Sequence, residues 1–395
     1  MKPIMVIITH VQNRAVTEGF IPAALKLGYQ VVLLTDHGLD HKHYFSLVCN
    51  GPDQIIECDV FNPLAIIDLL DGHNIKPQVV FSNSDHLQTS NALVADYFSC
   101  PGKNWKTCYQ AKNKAQMRQT LTTLGIENVC SQTLFASDPL PENLTYPIIA
   151  KPREGVSSLD VALCENEAAL IAYKDRFKKK SMPILLESYL EGPLFTLETL
   201  GDGENIAVIG GFDVQLSPLP HFIELSAIWN GENSALFAAQ ALQQVKAFGA
   251  NFGVCHSEFI VTANGPVLVE INYRSIGDGR EFLLNDLLTF NWFEKILQLH
   301  AGEILGVLNN DSECAVIEYF PAYQSGLLKK NQSAFTKQLG ATNINYQPLK
   351  EKNQYITLSN SNKDYLGLLT ATGPTLKEIK QKTASIINEL IWEVN

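Results

Sequence analysis

Residues 258–277 read EFIVTANGPVLVEINYRSIG, and the reading of the whole chain turns on them. Two apolar runs flank Asn264-Gly265-Pro266, the composition of a tight turn between antiparallel strands. Alternate side chains of a strand share a face, so the hairpin brings Glu258 close to Glu270 and Asn272. Oxygen ligands gathered on one face suit Mg²⁺ carrying a nucleotide's phosphates. Arg274 is available to hold a phosphoryl or carboxylate oxygen bidentately. The alternative is a half-buried hairpin with a wet polar face. The apolar neighbours Val267, Leu268, Val269 and Ile271 instead point the carboxylates toward a covered site.

This Glu, followed on the next strand by Glu-x-Asn-x-Arg, resembles the metal-binding end of the ATP-grasp superfamily of ligases. The resemblance implies that Glu258, Glu270 and Asn272 hold magnesium, or manganese, and that Arg274 acts catalytically on the reacting phosphate or acyl-phosphate oxygens. The proline usual between Asn and Arg is Tyr273 here. The implied fold is α/β, the ATP-grasp fold. It comprises an N-terminal parallel α/β domain (1–106), a two-lobed nucleotide-binding domain (107–305, lobes 107–186 and 187–305) and a small C-terminal α+β domain (306–395).

Three further segments follow the family's order. A basic, helix-forming stretch from Cys108 to Leu124 carries Lys112, Lys114 and Arg118, and Asn113-Lys114 stands in the place of the family's Asp-Lys pair. The resemblance makes Lys114 a contact of the ATP phosphates; taken alone it is an ordinary solvated helix lysine. Residues 146–152, YPIIAKP, form an apolar strand that delivers Lys151 to its end. Arg153-Glu154-Gly155-Val156-Ser157-Ser158 follows as a small-residue loop whose amides can approach phosphate oxygens. Gly155, Ser157 and Ser158 match the family's phosphate-covering loop. Residues 183–200, PILLESYLEGPLFTLETL, read as strand, hinge and strand, and the match implies adenine contacts from Glu187, Tyr189 and Leu190. The acidic residue that often binds ribose is Leu194 here, leaving Glu191 as a substitute or as a surface hinge residue. In residues 220–224, PHFIE, His221 either positions substrate or serves a structural hydrogen bond.

Residues 2–9, 30–35, 54–57 and 78–82 are β-prone and alternate with helical segments at 15–27 and 63–70, predicting a small parallel α/β domain. It lacks a G-x-G-x-x-G after the first strand. Ser82, Asn83 and Asp85 either line the cleft or cap a helix through Ser84 or Asp85. The start, MKPIMVIITH, reads as a first strand rather than a signal peptide. Residues 283–299 suit a core helix with Trp292, Ile296 and Leu299 on one face. Strands at 315–320, 355–358 and 365–370, and a helix capped at Thr375 with Glu378, resemble the C-terminal domain of carboxylase-like members.

With 395 residues, 46% hydrophobic and 18% charged, the chain is globular. A net charge of -11 argues against nonspecific nucleic-acid binding, and no apolar stretch is long enough for a membrane span. Eight scattered cysteines without a Cys-x-x-Cys pair read as reduced core residues of a cytoplasmic protein. His37, His41 and His43, beside Asp36 and Asp40, read as a solvated loop rather than a zinc site.

The resemblance implies an ATP-dependent ligase that activates a small carboxylate as an acyl phosphate and joins it to an amine, alone or as a homodimer. A biotin-carboxylase-like enzyme is the chief rival, although the chain has no Ala-Met-Lys-Met attachment sequence. A nucleotide sensor without catalysis is a rival of another class, favoured by Leu194 and opposed by the retained Glu258, Glu270, Asn272 and Arg274.

Overall fold

The computed structural model describes residues 2–180, 182–309 and 313–395. Strands β1 (Ile4–Ile8), β2 (Gln30–Thr35), β3 (Gln54–Glu57) and β4 (Val79–Phe81) form a parallel sheet in the order β3-β2-β1-β4. Helices cover both faces of such a sheet, which is why IMVII and QVVLLT are continuous apolar runs. The segment expected to be helical from residue 15 starts as a π-helix, Ala15–Phe20, and becomes α1 (Ile21–Lys26). Pro22 sits in the first turn of α1, where its missing N–H costs little.

The histidine-rich segment is not a solvated loop. Helix α2 (Gly38–Leu47) begins inside it, and His41 is fully buried with Nε2 3.1 Å from the His10 carbonyl. Helix α3 (Pro63–Gly72) is capped by Asn62, whose side chain accepts from the Leu64 and Ala65 amides. A 3₁₀ turn, Asp85–Leu87, precedes α4 (Gln88–Tyr97), and Ser84 gives it no side-chain cap.

The basic stretch 108–124 is two helices, α5 (Trp105–Lys112) and α6 (Lys114–Thr123). Asn113 breaks the run at φ -88°, ψ 95°, and its side chain accepts from Gln116 N to cap α6. Asparagine competes in this way because its short amide satisfies free backbone donors. The break frees the Lys114 amide to donate to the Arg153 carbonyl at 3.2 Å, tying α6 to the following lobe.

That lobe is an antiparallel sheet of β5 (Ser131–Leu134), β6 (Ile148–Pro152), β7 (Ala162–Cys164) and β8 (Ile184–Ser188), in the order β5-β8-β6-β7. Helix α7 (Glu167–Phe177) packs on it through Leu170, Tyr173 and Phe177.

The largest sheet begins with β9 (Leu194–Asp202), β10 (Ile206–Gly210), β11 (Phe212–Leu216) and β12 (Glu224–Trp229). The hairpin β13 (Phe252–Thr262) and β14 (Gly265–Asn272) sits at one edge. The sheet continues through β15 (Cys314–Pro321), while β16 (Gly326–Lys330) leaves it, and resumes with β17 (Phe335–Leu339) and β18 (Thr342–Pro348). Beyond the short β19 (Tyr355–Ile356) comes β20 (Tyr365–Gly373), and β21 (Glu393–Val394) ends the chain. The order is β14-β13-β9-β11-β12-β15-β20-β18-β17, with β10 beside β9 and a separate small sheet β19-β16-β21. Pairing of β12 with β15 joins the C-terminal strands to the sheet that bears the hairpin.

Helix α8 (Glu232–Phe248) covers the back of the hairpin, its Ala241, Val245 and Phe248 clustering with Phe195, Leu197, Phe259, Leu268 and Ile271. The expected core helix at 283–299 is α9 (Arg280–Leu287) and α10 (Trp292–His300), parted at Asn291, which caps α10 by accepting from Glu294 N. Its predicted face is intact, since Trp292, Ile296 and Leu299 are fully buried. Thr375 caps α11 (Leu376–Ile387) by accepting from Glu378 N. Of the cysteines, Cys108, Cys164 and Cys255 are buried, whereas Cys49 and Cys130 are exposed and so lie outside any core.

Candidate active site

Strand register assembles the polar face of the hairpin. Glu258 pairs with Glu270 across β13 and β14, and His256 with Asn272; on the other side Glu258 pairs with Thr196 and His256 with Glu198 of β9. Partners directly opposite point to the same face. The result is two rows, Thr196-Glu258-Glu270 and Glu198-His256-Asn272, backed by the apolar layer on α8. A bulge after Glu258 skips Val269, which lets Glu258 and Glu270 stay opposite each other.

Hydrogen bonds order these rows. His256 Nδ1 lies 2.7 Å from Glu198 Oε1, and its Nε2 lies 3.4 Å from Glu258 Oε1. Burial opposes a charge on His256, but Glu198 and the hydrogen bonds to both carboxylates outweigh it and raise the pKa to about 9. Asn272 Nδ2 donates to Glu258 at 3.4 Å, and Arg274 Nη2 reaches Asn272 Oδ1 at 3.4 Å. Burial, reinforced by the Glu270 charge, raises the Glu258 pKa against the opposing hydrogen bond of His256. Two carboxylates facing one another with hard oxygen donors, and an amide oxygen beside them, fit a divalent cation such as magnesium or manganese.

A cleft with about 1020 Å³ of empty space, partly open to solvent, runs between the β5–β8 lobe and this face. Lys114, at the first turn of α6, places Nζ 2.9 Å from Glu270 Oε1 and 2.9 Å from the Gly155 carbonyl. Burial opposes its charge, yet Glu270 holds the Lys114 pKa above its ordinary value; in return, Lys114 overcomes burial to lower that of Glu270. Lys151, ending β6, lies 2.6 Å from Glu187 Oε2, and burial lowers its pKa. Glu187 also receives Arg118 Nε at 2.7 Å; burial opposes its charge, but the two cations bring its pKa down to about 2. Arg118 further donates to both Glu127 oxygens at 2.8 Å and to the Leu268 carbonyl at 2.6 Å. It thus ties α6 to both β8 and β14, which are in different lobes.

Apolar side chains close the rest of the cleft: Ile149, Val161, Leu194, Leu216, Ile260 and Val269. The hinge contributes Ser188, Tyr189 and Leu190. Gly192 at the hinge has φ 152°, and a Cβ there would stand 1.9 Å from the Val261 carbonyl, so a side chain is excluded. The loop after Lys151 holds Ser157 and Ser158 at φ 55° and 54°, consecutive left-handed residues. The Ser157 carbonyl accepts from the Asn362 amide at 3.3 Å, so the loop touches the C-terminal segment.

Beyond the carboxylates the cleft opens into a second, polar cavity of about 560 Å³. Glu224, Ser158, Glu258 and Glu270 border both spaces. Arg274, His256, Asp278, Arg280 and Asn362 line only the second. Arg280 is ion-paired with Glu224, and the Asn362 side chain brackets the same residue, accepting from its amide at 3.1 Å and donating to its carboxylate at 3.3 Å.

Of the residues singled out in the sequence, Lys114, Lys151, Gly155, Ser158, Glu187, Tyr189, Leu190, Glu258 and Glu270 line the cleft. Ser157, Asn272 and Arg274 line the polar cavity. Glu191 is exposed and lines neither. His221 also lines neither; its carbonyl accepts from Ser217 Oγ at 3.1 Å, while its neighbours Phe222 and Glu224 face the cleft. Asp85 pairs with Lys112 instead of capping a helix; burial opposes its charge, but Lys112 and then Arg274 lower its pKa to about 2. Asn83 Oδ1 accepts from the Ser275 amide at 3.1 Å, tying the parallel domain to the Arg274 loop. Sequence reading missed Glu198, His256, Glu224, Asp278, Arg280 and Asn362. For His256 the signal was available: it lies two residues before Glu258 on the same strand face.

No family model matches the chain. An uncharacterized protein, y4rH, of Sinorhizobium fredii is 26% identical over 262 residues, which are 63% of this chain and 54% of that protein. Dapdiamide A synthase of Enterobacter agglomerans is 25% identical over 217 residues, 49% of this chain and 50% of that protein. The chain therefore spans about half the length of the curated relatives it matches. The crystal structure of L-amino acid ligase from Bacillus licheniformis superposes with a TM-score of 0.81 at 18% identity, each chain covered completely.

Proposed function

We propose, from a chain that has the ATP-grasp fold, an ATP-dependent ligase that activates a small carboxylate as an acyl phosphate and joins it to an amine, releasing ADP and phosphate. The observation that carries this reading is the meeting of the two cavities at Glu258 and Glu270. One side is an apolar slot with two lysines, and the other a polar chamber with Arg274.

A carboxylate repels nucleophiles through its charge, and transfer of the γ-phosphoryl group gives it a leaving group. Tyr189, Leu190 and the apolar walls would hold the adenine. Lys114 and Lys151 would neutralise phosphate oxygens, with Glu187 fixing Lys151 in place. Gly155, Ser157 and Ser158 would cover the phosphates and exclude water that would hydrolyse the intermediate. Glu258, Glu270 and Asn272 would hold magnesium or manganese, which when bound shields the transferring charge. Arg274, at the border of the polar chamber, would stabilise the oxygens of the group in transfer. In this reading residues 1–106 and 306–395 wall the acceptor side of a nucleotide-binding unit at 107–305. The substrates are small molecules, in a cytoplasmic setting. No helix among the described residues is long and apolar enough to cross a membrane.

The test is incubation with ATP, Mg²⁺ and mixed amino, hydroxy and keto acids, recording nucleotide products and product masses. ADP, phosphate and a new amide support the ligase. A bicarbonate-dependent reaction would move the chain to carboxylation, and nucleotide binding without turnover would leave a sensor.

A further inference from the structure

Strands β1 and β2 run parallel and end side by side, Ile8 opposite Leu34, and a bond from the Thr9 amide to the Leu34 carbonyl at 2.9 Å extends the pairing past β1. The loops beyond therefore leave the sheet together. One carries His10, and the other carries Asp36 and His37 directly after β2. His10 Nδ1 lies 2.8 Å from each Asp36 carboxylate oxygen. The His10 and His37 rings meet edge to face, their centres 4.8 Å apart. One ligand atom from each of the three side chains falls within 4.8 Å of the other two.

The backbone beneath this group is fixed by buried side chains. Thr35, fully buried, donates its hydroxyl to the His10 carbonyl at 3.0 Å and accepts from the His37 amide at 3.0 Å. His41, also fully buried, places Nε2 3.1 Å from the same His10 carbonyl. Phe61 packs edge-on against the His10 ring at 5.0 Å. His37 stands at the N-cap of α2, but its ring makes no capping bond; its Nδ1 lies 3.3 Å from the exposed Asp40. Anchoring of this kind holds donor groups near one another before an ion arrives. The three side chains are half-buried, so solvent reaches them.

Their place in the fold is a second reason to expect a ligand. Open parallel α/β sheets bind ligands outside the carboxyl ends of their strands, where the strand order reverses. In the order β3-β2-β1-β4 the chain steps outward from β1 to β2 and β3, then returns past β1 to β4. His10 follows the strand at which that reversal occurs.

We infer that His10, Asp36 and His37 form a site for a divalent transition-metal ion of the zinc class, separate from the oxygen ligands of the hairpin. Two imidazoles and a carboxylate suit Zn²⁺ or Co²⁺, whereas Mg²⁺ takes oxygen ligands. Three protein ligands leave a tetrahedral ion one position for water or another small donor. Bonds of about 2.0–2.2 Å set tetrahedral donors roughly 3.4 Å apart, so side-chain adjustments on the order of 1 Å close the set. The ion takes the place of the proton that His10 donates to Asp36, and that proton leaves to solvent. The inference is independent of the ligase reading.

The experiment uses the full chain without a histidine tag, stripped with a chelator and titrated with ZnCl₂ in excess Mg²⁺ by calorimetry. The expected result is one Zn²⁺ per chain with a Kd of about 10 µM or tighter. His10→Gln and His37→Gln should each weaken it by at least ~10-fold. Glu270→Gln, on the hairpin, and His43→Gln, at an exposed histidine outside the cluster, should leave it unchanged. Melting curves check that each variant is folded; His37 lies on the surface side of the group, so His37→Gln decides alone should His10→Gln fail to fold. Weaker Zn²⁺ binding by the wild type, a smaller loss in a folded His10→Gln or His37→Gln, or a comparable loss in Glu270→Gln or His43→Gln overturns the inference. Nothing here is read from turnover, so the result stands whether or not the chain releases ADP.

Discussion

Lys151 with Glu187 and Lys114 with Glu270 are two buried lysine–carboxylate pairs in one cleft, and their surroundings differ. Glu187 is shared with Arg118, which also holds Glu127 and a carbonyl of β14, so that pair belongs to a closed network joining the lobes. Glu270 has Lys114 alone as an ion-pair partner among the described residues, and it stands opposite Glu258 at the border of the polar cavity. A closed network resists rearrangement, because removing one member leaves another charge buried without compensation. An open pair can exchange its lysine for a metal and a phosphate. In the proposed reading Glu187 and Arg118 are the scaffold that holds Lys151 against the phosphates, and Glu270 with Lys114 is the reacting end.

The contrast predicts opposite phenotypes. Glu270→Gln keeps side-chain size but removes a metal charge, and turnover should fall by at least ~10³-fold, about 4 kcal/mol in the barrier, while cooperative melting persists. Normal turnover at saturating Mg²⁺ would remove Glu270 from the metal set. Arg118→Met should do the reverse, destabilising the fold by about 3–5 kcal/mol in urea melts by stranding Glu127 and leaving Glu187 with Lys151 alone. A variant as stable as the wild type would show that the network does not join the lobes.

Acid probes the first pair next. The folded pKa of Glu187 is lowered to about 2, below its unfolded value, so its contribution is fully present above the unfolded pKa and is lost as pH falls toward 2. The shift corresponds to about 3 kcal/mol. Urea melts between about pH 6 and pH 3 should therefore show a steeper loss for the wild type than for Glu187→Gln; parallel slopes would place the acid sensitivity elsewhere. The smallest effect belongs to Lys151→Ala, which should weaken ATP binding by about 1.5–3 kcal/mol, the scale of a lost charged hydrogen bond. Unchanged affinity in calorimetry would make Lys151 only a structural partner of Glu187.

The same contrast explains what the sequence disclosed. Glu258, Glu270 and Asn272 were legible because a strand repeats every two residues and a hairpin reflects that repeat onto its partner. Lys151 was legible for the same reason, ending an apolar strand before a small-residue loop. Glu187 was placed in the cleft, but its link to Lys151 and Arg118 depends on how α6 sits over two sheets, which no local pattern encodes. Glu224, Arg280 and Asn362 come from three distant segments that meet only because β12, α9 and the turn before β20 converge. The helix breaks at Asn113 and Asn291 were present in the letters and were overridden by the amphipathic pattern around them. His41 was misread because a polar side chain can be buried where a backbone carbonyl, here that of His10, receives it.

The claim that this cleft activates a carboxylate by γ-phosphoryl transfer is tested most directly by hydroxylamine trapping. With ATP, Mg²⁺ and the correct carboxylate but no amine, the account predicts a hydroxamate formed together with ADP and phosphate, because the activated carbonyl accepts any nitrogen nucleophile that enters. Arg274→Ala should suppress this trapping more than it weakens ATP binding, since its partner is the group in transfer. Hydroxamate accompanied by AMP and pyrophosphate would contradict the account, because attack would then lie at the α-phosphorus.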